Sequence, residues 1–231
     1  MIKLEHVVLA SPEQMEFIIE GMRNPMNSWE KSDSKVCNYM SKGYCDACEK
    51  QDNCATCREE TDFYLGGMDE ELMQRLSNAG TDHRKFMRMM PVYVRITAPL
   101  YWWKEFDTYK VGTVANSCST MHKIQAKEFR LEDFSCEHLS VVSLDYLKSN
   151  IEHLNFIRDV HNDDKSNKGA WWQMIQLLPS SYNQTRNVMM NYEVLANIYK
   201  SRKSHKLDEW REFCKWIEEL PYSELITGGA E

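Results

Sequence analysis

The chain has 231 residues, of which 42% are hydrophobic, and its 28 Lys and Arg against 35 Asp and Glu give a net charge of −7. This length and composition suit one globular domain with a real core and exclude wholesale disorder. The acidic balance argues against bulk binding to nucleic acid. Because no run of about 18 apolar residues occurs, no membrane span is expected, and a membrane is not among the expected partners. The N-terminal residues do not resemble a secretory signal, so a cytoplasmic location is expected.

The first third of the chain alternates between strand and helix signals. Residues 2–9 are β-rich and predict a strand. A serine followed by proline predicts a capped helix that begins at Ser11 and ends at Asn24. Residues 69–79 predict a second helix, with Gly80 as its stop.

The rest of the chain is mostly helical. Residues 92–97 alternate and predict a strand, whereas 107–122 are less regular, with a turn at Gly112. Apolar residues at helical spacing then mark four helices, over residues 144–157, 170–178, 188–199 and 207–220. The predicted fold class is therefore α+β, with few strands and many helices.

Five of the eight cysteines cluster in a polar segment, at Cys37, Cys45, Cys48, Cys54 and Cys57. In a reducing compartment such a cluster predicts metal binding before disulfides. The last four form two CxxC pairs, and each pair can hold one side of a tetrahedral ion, while Cys37 is a spare that could replace a ligand. We predict a structural zinc in an insertion over residues 36–60. An iron–sulfur cluster, or unligated or disulfide-linked cysteines, are the alternatives.

Two stretches of the chain carry a resemblance to a known family. The first contains the runs GTDH at 80–83, APLYWWKEF at 98–106, DTYK at 107–110 and NSCS at 116–119. The second contains LP at 178–179, Thr185, NYEVL at 191–195 and Arg202. This order and spacing resemble the flavin-dependent thymidylate synthases. There, an Ala-Pro-aromatic segment leads through an Arg-Gln-like pair to an Arg-His-Arg-x-x-Ser signature and an Asn-Glu-x-Ser-x-Arg-Tyr segment.

The signature is altered at its charged positions. Thr108-Tyr109-Lys110 stands where the family has Arg-His-Arg, Lys104-Glu105 stands for Arg-Gln, and Thr113 stands for the serine. On the helix at 191–202, Glu193 occupies an arginine position. Lysine binds phosphate as a point charge rather than as a bidentate fork, so weaker anion sites are expected. Glu193 is expected to repel a phosphate.

The resemblance implies a single domain over residues 1–231 with a small antiparallel sheet, several long helices and the Cys-rich inserted loop. It also implies a homotetramer. The implied catalytic residues are Lys110 and Ser119. The implied cofactor-binding residues are His83, Arg84, Lys104, Lys110 and Thr113. The implied substrate-binding residues are Asn116, Ser119, Asn191 and Arg202.

The implied activity is flavin-dependent reductive methylation of deoxyuridine monophosphate or a related pyrimidine nucleotide. FAD would pass a hydride, and a folate co-substrate would supply the one-carbon unit. The alternatives are a catalytically altered nucleotide-binding protein, or an interaction protein on the same fold with a structural zinc loop.

Several other residues have two interpretations. The basic group at His83, Arg84, Lys85 and Arg88, which is joined along the chain by Arg95, Lys104 and Lys110, is either a solvated helix face or an anion site. Trp102 and Trp103 either stack on a ligand ring or belong to the core. Cys118, beside Ser119, is either a nucleophile or a small buried residue.

Overall fold

A computed structural model of the chain describes residues 2–37 and 62–228. The described residues form two compact units. Unit 1 contains residues 2–7, 94–188 and 204–213. Unit 2 contains residues 8–37, 62–93, 189–203 and 214–228.

The described residues contain six strands and eight α-helices. The strands are β1 Lys3–Leu9, β2 Lys35–Cys37, β3 Asp62–Tyr64, β4 Pro91–Pro99, β5 Val114–Ser117 and β6 Asn183–Asn191. The helices are α1 Pro12–Arg23, α2 Gly67–Asn78, α3 Leu100–Phe106, α4 Val141–Asp163, α5 Lys168–Leu177, α6 Tyr192–Arg202, α7 Asp208–Glu218 and α8 Glu224–Thr227. Four strands form one sheet in the order β1-β4-β6-β5, and β2 pairs with β3 in a second, antiparallel one. The predicted α+β class with a small antiparallel sheet is confirmed.

An aromatic cluster from α3 and α7 forms one core of unit 1. Its members are Trp102, Trp103, Phe106, Trp210 and Phe213, all at most 1% exposed. The ring centroids of Trp102 and Trp210 lie 4.6 Å apart, and those of Trp102 and Phe106 lie 5.0 Å apart. Of the two interpretations of the tryptophan pair, the core one is confirmed, because side chains this buried cannot stack on a ligand.

A second apolar cluster of unit 1 packs α4 against α5. Its buried members are Ile124, Phe129, Phe134, Leu147, Ile151, Leu154, Ile157, Ala170 and Met174. The helical spacing of the apolar residues in α4 places them on one side of that helix. This cluster holds the segment before α4 in place, which matters below because the same segment lines a cavity.

Unit 2 begins with the predicted capped helix. The Ser11 hydroxyl accepts a hydrogen bond from the Gln14 N–H (3.2 Å), and the Gln14 side chain accepts one from the Ser11 N–H (2.8 Å). This capping box satisfies two backbone donors at the start of α1. The predicted apolar face is buried, at Met15, Ile18, Ile19 and Met22.

The two ends of the Cys-rich segment meet in unit 2. Strands β2 and β3 pair in antiparallel register, with Cys37 opposite Asp62 and Lys35 opposite Tyr64. Residues 38–61 lie outside the described residues. The stem brackets the predicted insertion at 36–60, and the domain boundaries stay a prediction.

Two sequence-based assignments need correction. Residues 183–191 form strand β6, so the helix predicted from residue 188 begins only at Tyr192. Residues 114–117, predicted as irregular, form β5. None of the helices in the described part of the chain is both long and apolar enough to cross a membrane.

Candidate functional site

Five of the predicted site residues lie in unit 1: Lys104, Lys110, Thr113, Asn116 and Ser119. Lys104 is exposed on α3, and Lys110 is exposed in the turn that connects α3 to β5. Asn116 is exposed on β5, and Ser119 lies two residues after the end of that strand. Four of the five therefore lie on one short segment, residues 110–119.

The turn before β5 holds a buried hydroxyl group without a partner. Thr113 Oγ1 makes no hydrogen bond within the described residues. The turn also contains Gly112 at φ +79°, a conformation that favours glycine. Nearby, the ammonium group of Lys110 forms no ion pair with a described residue. Because a buried unpartnered hydroxyl is unfavourable by itself, this pair of side chains fits an oxygen-rich anionic group.

Arg186 fixes the start of this turn and was missed by the sequence analysis. Its guanidinium lies 4.1 Å from the ring centroid of Trp103 and donates to Asp107 Oδ1 (2.6 Å) and to Gln184 Oε1 (2.9 Å). Asp107 is the first residue after α3, so the contact holds the point where the chain leaves that helix. An arginine 79 residues from its partner gives no local sequence signal.

Backbone and side-chain hydrogen bonds hold Ser119 and its neighbour in position. The Cys118 N–H donates to the Thr185 carbonyl (2.9 Å), and Gln184 Nε2 donates to the Cys118 carbonyl (2.7 Å). The Ser119 hydroxyl accepts from the backbone N–H of His122 (2.9 Å) and of Met121 (3.3 Å). Cys118 is exposed, so the buried-residue interpretation of this thiol is wrong.

A cavity of about 1330 Å³ in unit 1 is lined by Cys118 and Ser119. It is larger than the pockets of about 300–1,000 Å³ that hold most small ligands. Phe129, Phe134 and Tyr182 contribute aromatic lining, with ring centroids 5.5 to 6.5 Å apart. Burial raises the pKa of the Tyr182 phenol, so this aromatic part of the wall is neutral at ordinary pH.

The charged lining of the cavity is positive on balance. Its cations are Lys3, Arg95, Lys123, Lys127 and Arg130, and its acids are Glu128, Glu132, Asp133 and Glu137. Five cations less four carboxylates leave a charge of +1 in a chain of net charge −7. None of the five cations forms an ion pair with a described residue. The cavity is therefore suited to an anionic ligand that also has an apolar ring.

Of these five cations, only Arg95 was noted from the sequence, and the other four were missed. Three of them, Lys123, Lys127 and Arg130, lie within eight residues of an acidic chain. That local density of positive charge could have indicated an anion site. Nothing in the sequence near Lys3 indicated such a site, because it is the pairing of β1 in the sheet that brings Lys3 to this cavity.

The other predicted site residues lie in unit 2. His83 is exposed and Arg84 is half-buried, in the segment before β4. The side chain of Asn191 caps α6, where its Oδ1 accepts from the Val194 N–H (3.0 Å). Arg202 is the last residue of the same helix.

Glu193 contacts the basic group of unit 2. Arg84 Nε donates to Glu193 Oε1 (3.3 Å), and Arg88 donates to the same carboxylate through Nε and through Nη2 (3.3 Å). Burial of Glu193 works to raise its pKa, but the hydrogen bonds and charges of Arg88 and Arg84 outweigh burial and hold the pKa below its ordinary value. The carboxylate is therefore ionised and paired with both arginines. The side chain of Arg84 is 20% exposed and that of Arg88 is 50% exposed, so the solvated-face interpretation does not hold for Arg84, whereas Arg88 stays partly solvated.

The predicted metal site falls on residues that the structure does not describe. Cys45, Cys48, Cys54 and Cys57 lie outside the described residues, and only the backbone of Cys37 is described. Within residues 2–37 and 62–228, no group of three or more His, Cys, Asp or Glu side chains could hold a metal ion. The zinc site stays a prediction.

Comparison with known proteins identifies the fold. No protein-family model matches the sequence, and no curated protein matches it. Among solved structures, the chain is similar to the flavin-dependent thymidylate synthase ThyX from Helicobacter pylori complexed with FAD and dUMP. That match has 17% identity and a TM-score of 0.61, and covers 100% of this chain and 99% of the other. A second structure of the same enzyme with FAD and dUMP matches at 16% identity and a TM-score of 0.58, over 97% and 94% of the two chains.

A third similar structure is the UMP/dUMP methylase PolB from Streptomyces cacaoi bound with 5-Br dUMP. It matches at 11% identity and a TM-score of 0.58, over 99% of this chain and 96% of the other. At these identities the comparisons establish the fold alone. The resemblance found in the sequence, to flavin-dependent thymidylate synthases, is confirmed at the level of the fold.

Proposed function

We propose that this protein binds a pyrimidine nucleotide in the unit 1 cavity and methylates it reductively with the help of a flavin. The observation that carries the proposal is the cavity lined by Ser119, with its aromatic wall and its five cations, none of which is ion-paired to a residue that the structure describes. It lies in a fold whose solved examples include structures with dUMP and FAD and one with 5-Br dUMP. A base would pack on the aromatic side chains, and a phosphate would meet the cations.

Different residues of this chain would bind the phosphate, orient the base and stabilise charge during the reaction. Arg95, Lys123 and Ser119 line the cavity, so the two cations would supply positive charge for a phosphate and the hydroxyl would orient the base. Asn116 is not among the lining residues, and its predicted contact with the substrate stays a proposal. Lys110 would stabilise negative charge that develops on the ring. We expect the nucleotide to be deoxyuridine monophosphate or a close relative. A folate would be the carbon donor, and the site would be completed in a homotetramer.

Part of the predicted flavin site fits a flavin and part does not. Lys110 and Thr113 would hold an anionic part of FAD, because no described residue pairs with the charge of Lys110 and the buried hydroxyl of Thr113 has no described partner. When bound, the flavin supplies the hydride of the reaction. Arg84 does not fit in the same way, since its guanidinium already contacts Glu193 and Asn197. His83, Lys104, Asn191 and Arg202 keep their predicted roles as proposals.

The altered cationic positions favour a second candidate, nucleotide binding without flavin. The observation behind it is the engagement of Arg84, which removes one of the predicted contacts to a cofactor. In that case the cavity would bind the pyrimidine nucleotide alone. The two candidates differ in one measurable property, the presence of bound flavin.

The test begins with the absorbance spectrum of the purified protein, followed by thermal shifts and titration calorimetry with FAD and dUMP. We expect a bound flavin and a rise in Tm with dUMP. Arg95→Gln and Lys123→Gln should each weaken dUMP binding about tenfold, as expected for loss of a charged contact. The control is Lys148→Gln, a half-exposed lysine on α4 that does not line the cavity.

Each outcome separates the candidates. Binding of dUMP by a protein that takes up no flavin would support the second candidate. An equal loss of affinity in Lys148→Gln would place the effect in overall charge rather than in the cavity. No response to any pyrimidine nucleotide would contradict both.

Thr113→Val tests the cofactor position. Valine keeps the shape of threonine but removes the hydroxyl that lacks a described partner, so stability should be unchanged or slightly higher. If Thr113 contacts the cofactor, the Kd for FAD should rise about tenfold. Equilibrium denaturation and flavin titration give the two readouts. An unchanged Kd would remove Thr113 from the cofactor site.

A further inference from the structure

We infer that Glu193 is a built-in anion, which fills an anion site formed by Arg84, Arg88 and the N-terminal end of α6. All these groups belong to unit 2. The inference goes beyond the proposed function, whose phosphate contacts lie in unit 1. It means that Arg84 and Arg88 do not recognise the phosphate of a ligand.

The two guanidinium groups use their hydrogen-bonding edges on this carboxylate. Arg88 offers its Nε and Nη2 edge to both carboxylate oxygens, which is the bidentate arrangement that arginine otherwise makes with phosphate. Arg84 donates from Nε to Glu193 and from Nη2 to Asn197 Oδ1 (3.2 Å). Arg88 Nη2 also points to the Thr81 carbonyl (3.4 Å). The Nε–Nη2 edge of each arginine is therefore occupied by acceptors within the protein.

The position of Glu193 in the helix completes the site. It is the second residue of α6 and only 8% exposed. The first turn of a helix carries unpaired N–H groups and a partial positive charge, which favour a negative charge there. Asn191 caps one of these N–H groups, so Glu193 adds the charge and Asn191 the hydrogen bond.

The arrangement predicts that an external anion can replace the carboxylate. Glu193→Ala would leave two arginine side chains facing each other without their acid, and we expect Tm to fall by about 5–10 °C. Inorganic phosphate should then bind between the arginines. It should raise the Tm of this variant by at least about 3 °C more than it raises the Tm of the unmodified protein.

The experiment measures Tm in inorganic phosphate and in potassium chloride of matched ionic strength, with the full chain purified in phosphate. The matched control is Glu209→Ala, since Glu209 is also buried but accepts its hydrogen bond from the Tyr101 hydroxyl. The Tm of this control should fall and should not rise specifically in phosphate. When Glu193→Ala is combined with Arg88→Ala, the phosphate-dependent rise in Tm should disappear. Isothermal titration with phosphate gives the binding stoichiometry, expected to be one site in the single variant.

Three results would overturn the inference. One is an equal rise in Tm in phosphate for the Glu193 and Glu209 variants, which would show a general salt effect. Another is a rise in the Tm of Glu193→Ala in phosphate that remains after Arg88 is also replaced. The third is a Glu193→Ala protein that stays unfolded even in phosphate, since the anion is expected to substitute for the carboxylate. None of these depends on nucleotide or flavin binding, so the proposed function is tested separately.

Discussion

Asp69 is a fully buried carboxylate in the first turn of α2, with hydrogen bonds on both of its oxygens. Oδ1 accepts from Arg23 Nε (2.5 Å), and Oδ2 accepts from the Ser32 hydroxyl (2.7 Å) and from the N–H groups of Asp33 and Ser34. Burial alone would raise the pKa of Asp69, but the hydrogen bonds from Ser34, Ser32 and Arg23 hold the pKa below its ordinary value. This residue therefore connects helix α1, helix α2 and the segment before β2.

We predict that Asp69→Asn destabilises the protein by about 3 kcal/mol. Asparagine would leave the buried Arg23 guanidinium unneutralised and would turn an amide N–H₂ toward other donors. Urea denaturation measures the loss. Asp145→Asn is the control, because Asp145 is exposed and forms an exposed ion pair with Lys148 (3.6 Å), so a change below about 0.5 kcal/mol is expected there.

The pH dependence of this effect has a definite sign. The folded-state pKa of Asp69 is depressed, so its stabilising contribution is present above the ordinary value of 3.8 and is lost as the pH falls below it. The gap in unfolding free energy between the natural protein and Asp69→Asn should therefore be constant at neutral pH and shrink below about pH 4. A gap that widened on acidification would contradict this assignment.

At the scale of elements, α2 begins where its chain passes closest to another segment. A Cβ added to Gly66 would lie 2.2 Å from the Asp33 carboxyl and 2.6 Å from the Asp33 backbone carbon. The Asp33 carboxylate accepts from the N–H groups of Met68 (2.9 Å) and Asp69 (3.1 Å), so it caps the helix. Only a residue without a side chain allows this approach.

Gly66→Ala and Gly67→Ala make a matched pair of adjacent substitutions. Alanine at 66 must displace backbone, and we expect a loss of about 2 kcal/mol or more. Alanine at 67 meets no atom within 4 Å and lies in the first turn of the helix, so a gain of about 0.5 kcal/mol is expected. Thermal and urea denaturation of both variants test the opposite signs. Equal effects would mean that Asp33 moves away without loss.

Sequence patterns predicted the elements that carry their own signals. The cap at Ser11 and the amphipathic faces of α1 and α4 were predicted, because caps and helical spacing are local features. Strand β6 was missed because Val188 stands four residues before Tyr192, so helical spacing continues across the junction with α6. Strand β5 was missed because all four of its residues are exposed, which leaves no apolar alternation to read.

The candidate site also contains residues that a local sequence pattern predicts and contacts that no local pattern predicts. Ser119, which lines the cavity, was predicted through the order of short motifs, which depends on the sequence alone. The contact of Glu193 with Arg88 joins residues 105 positions apart, and only the fold reveals that the acid predicted to repel phosphate is already paired. Charge can be counted from a sequence, but its partner is set by tertiary structure.

At the scale of the whole molecule, neither unit is one continuous piece of chain. Unit 1 takes residues 204–213 from near the C-terminus, and these supply Trp210 and Phe213 to its aromatic core. Unit 2 takes the stem of the Cys-rich segment, which is joined to α2 through Asp33 and Asp69. The described contacts at the base of this segment need no metal ligand.

The aromatic core belongs to unit 1 and the stem of the Cys-rich segment to unit 2, so the effect of the proposed zinc on each can be predicted separately. We expect elemental analysis to find one zinc per chain, and Cys45→Ser with Cys54→Ser to abolish it, since each CxxC pair would lose a ligand. Metal loss should leave the near-ultraviolet circular dichroism of the tryptophan cluster unchanged, because that core lies in unit 1 and its members pack on one another. Ser11→Ala, which removes a helix cap far from any cysteine in sequence, is the control for a general loss of about 1 kcal/mol. If elemental analysis finds iron instead of zinc, the site holds an iron–sulfur cluster. If chelation abolishes the aromatic circular dichroism signal, the metal supports the whole fold rather than the inserted loop alone.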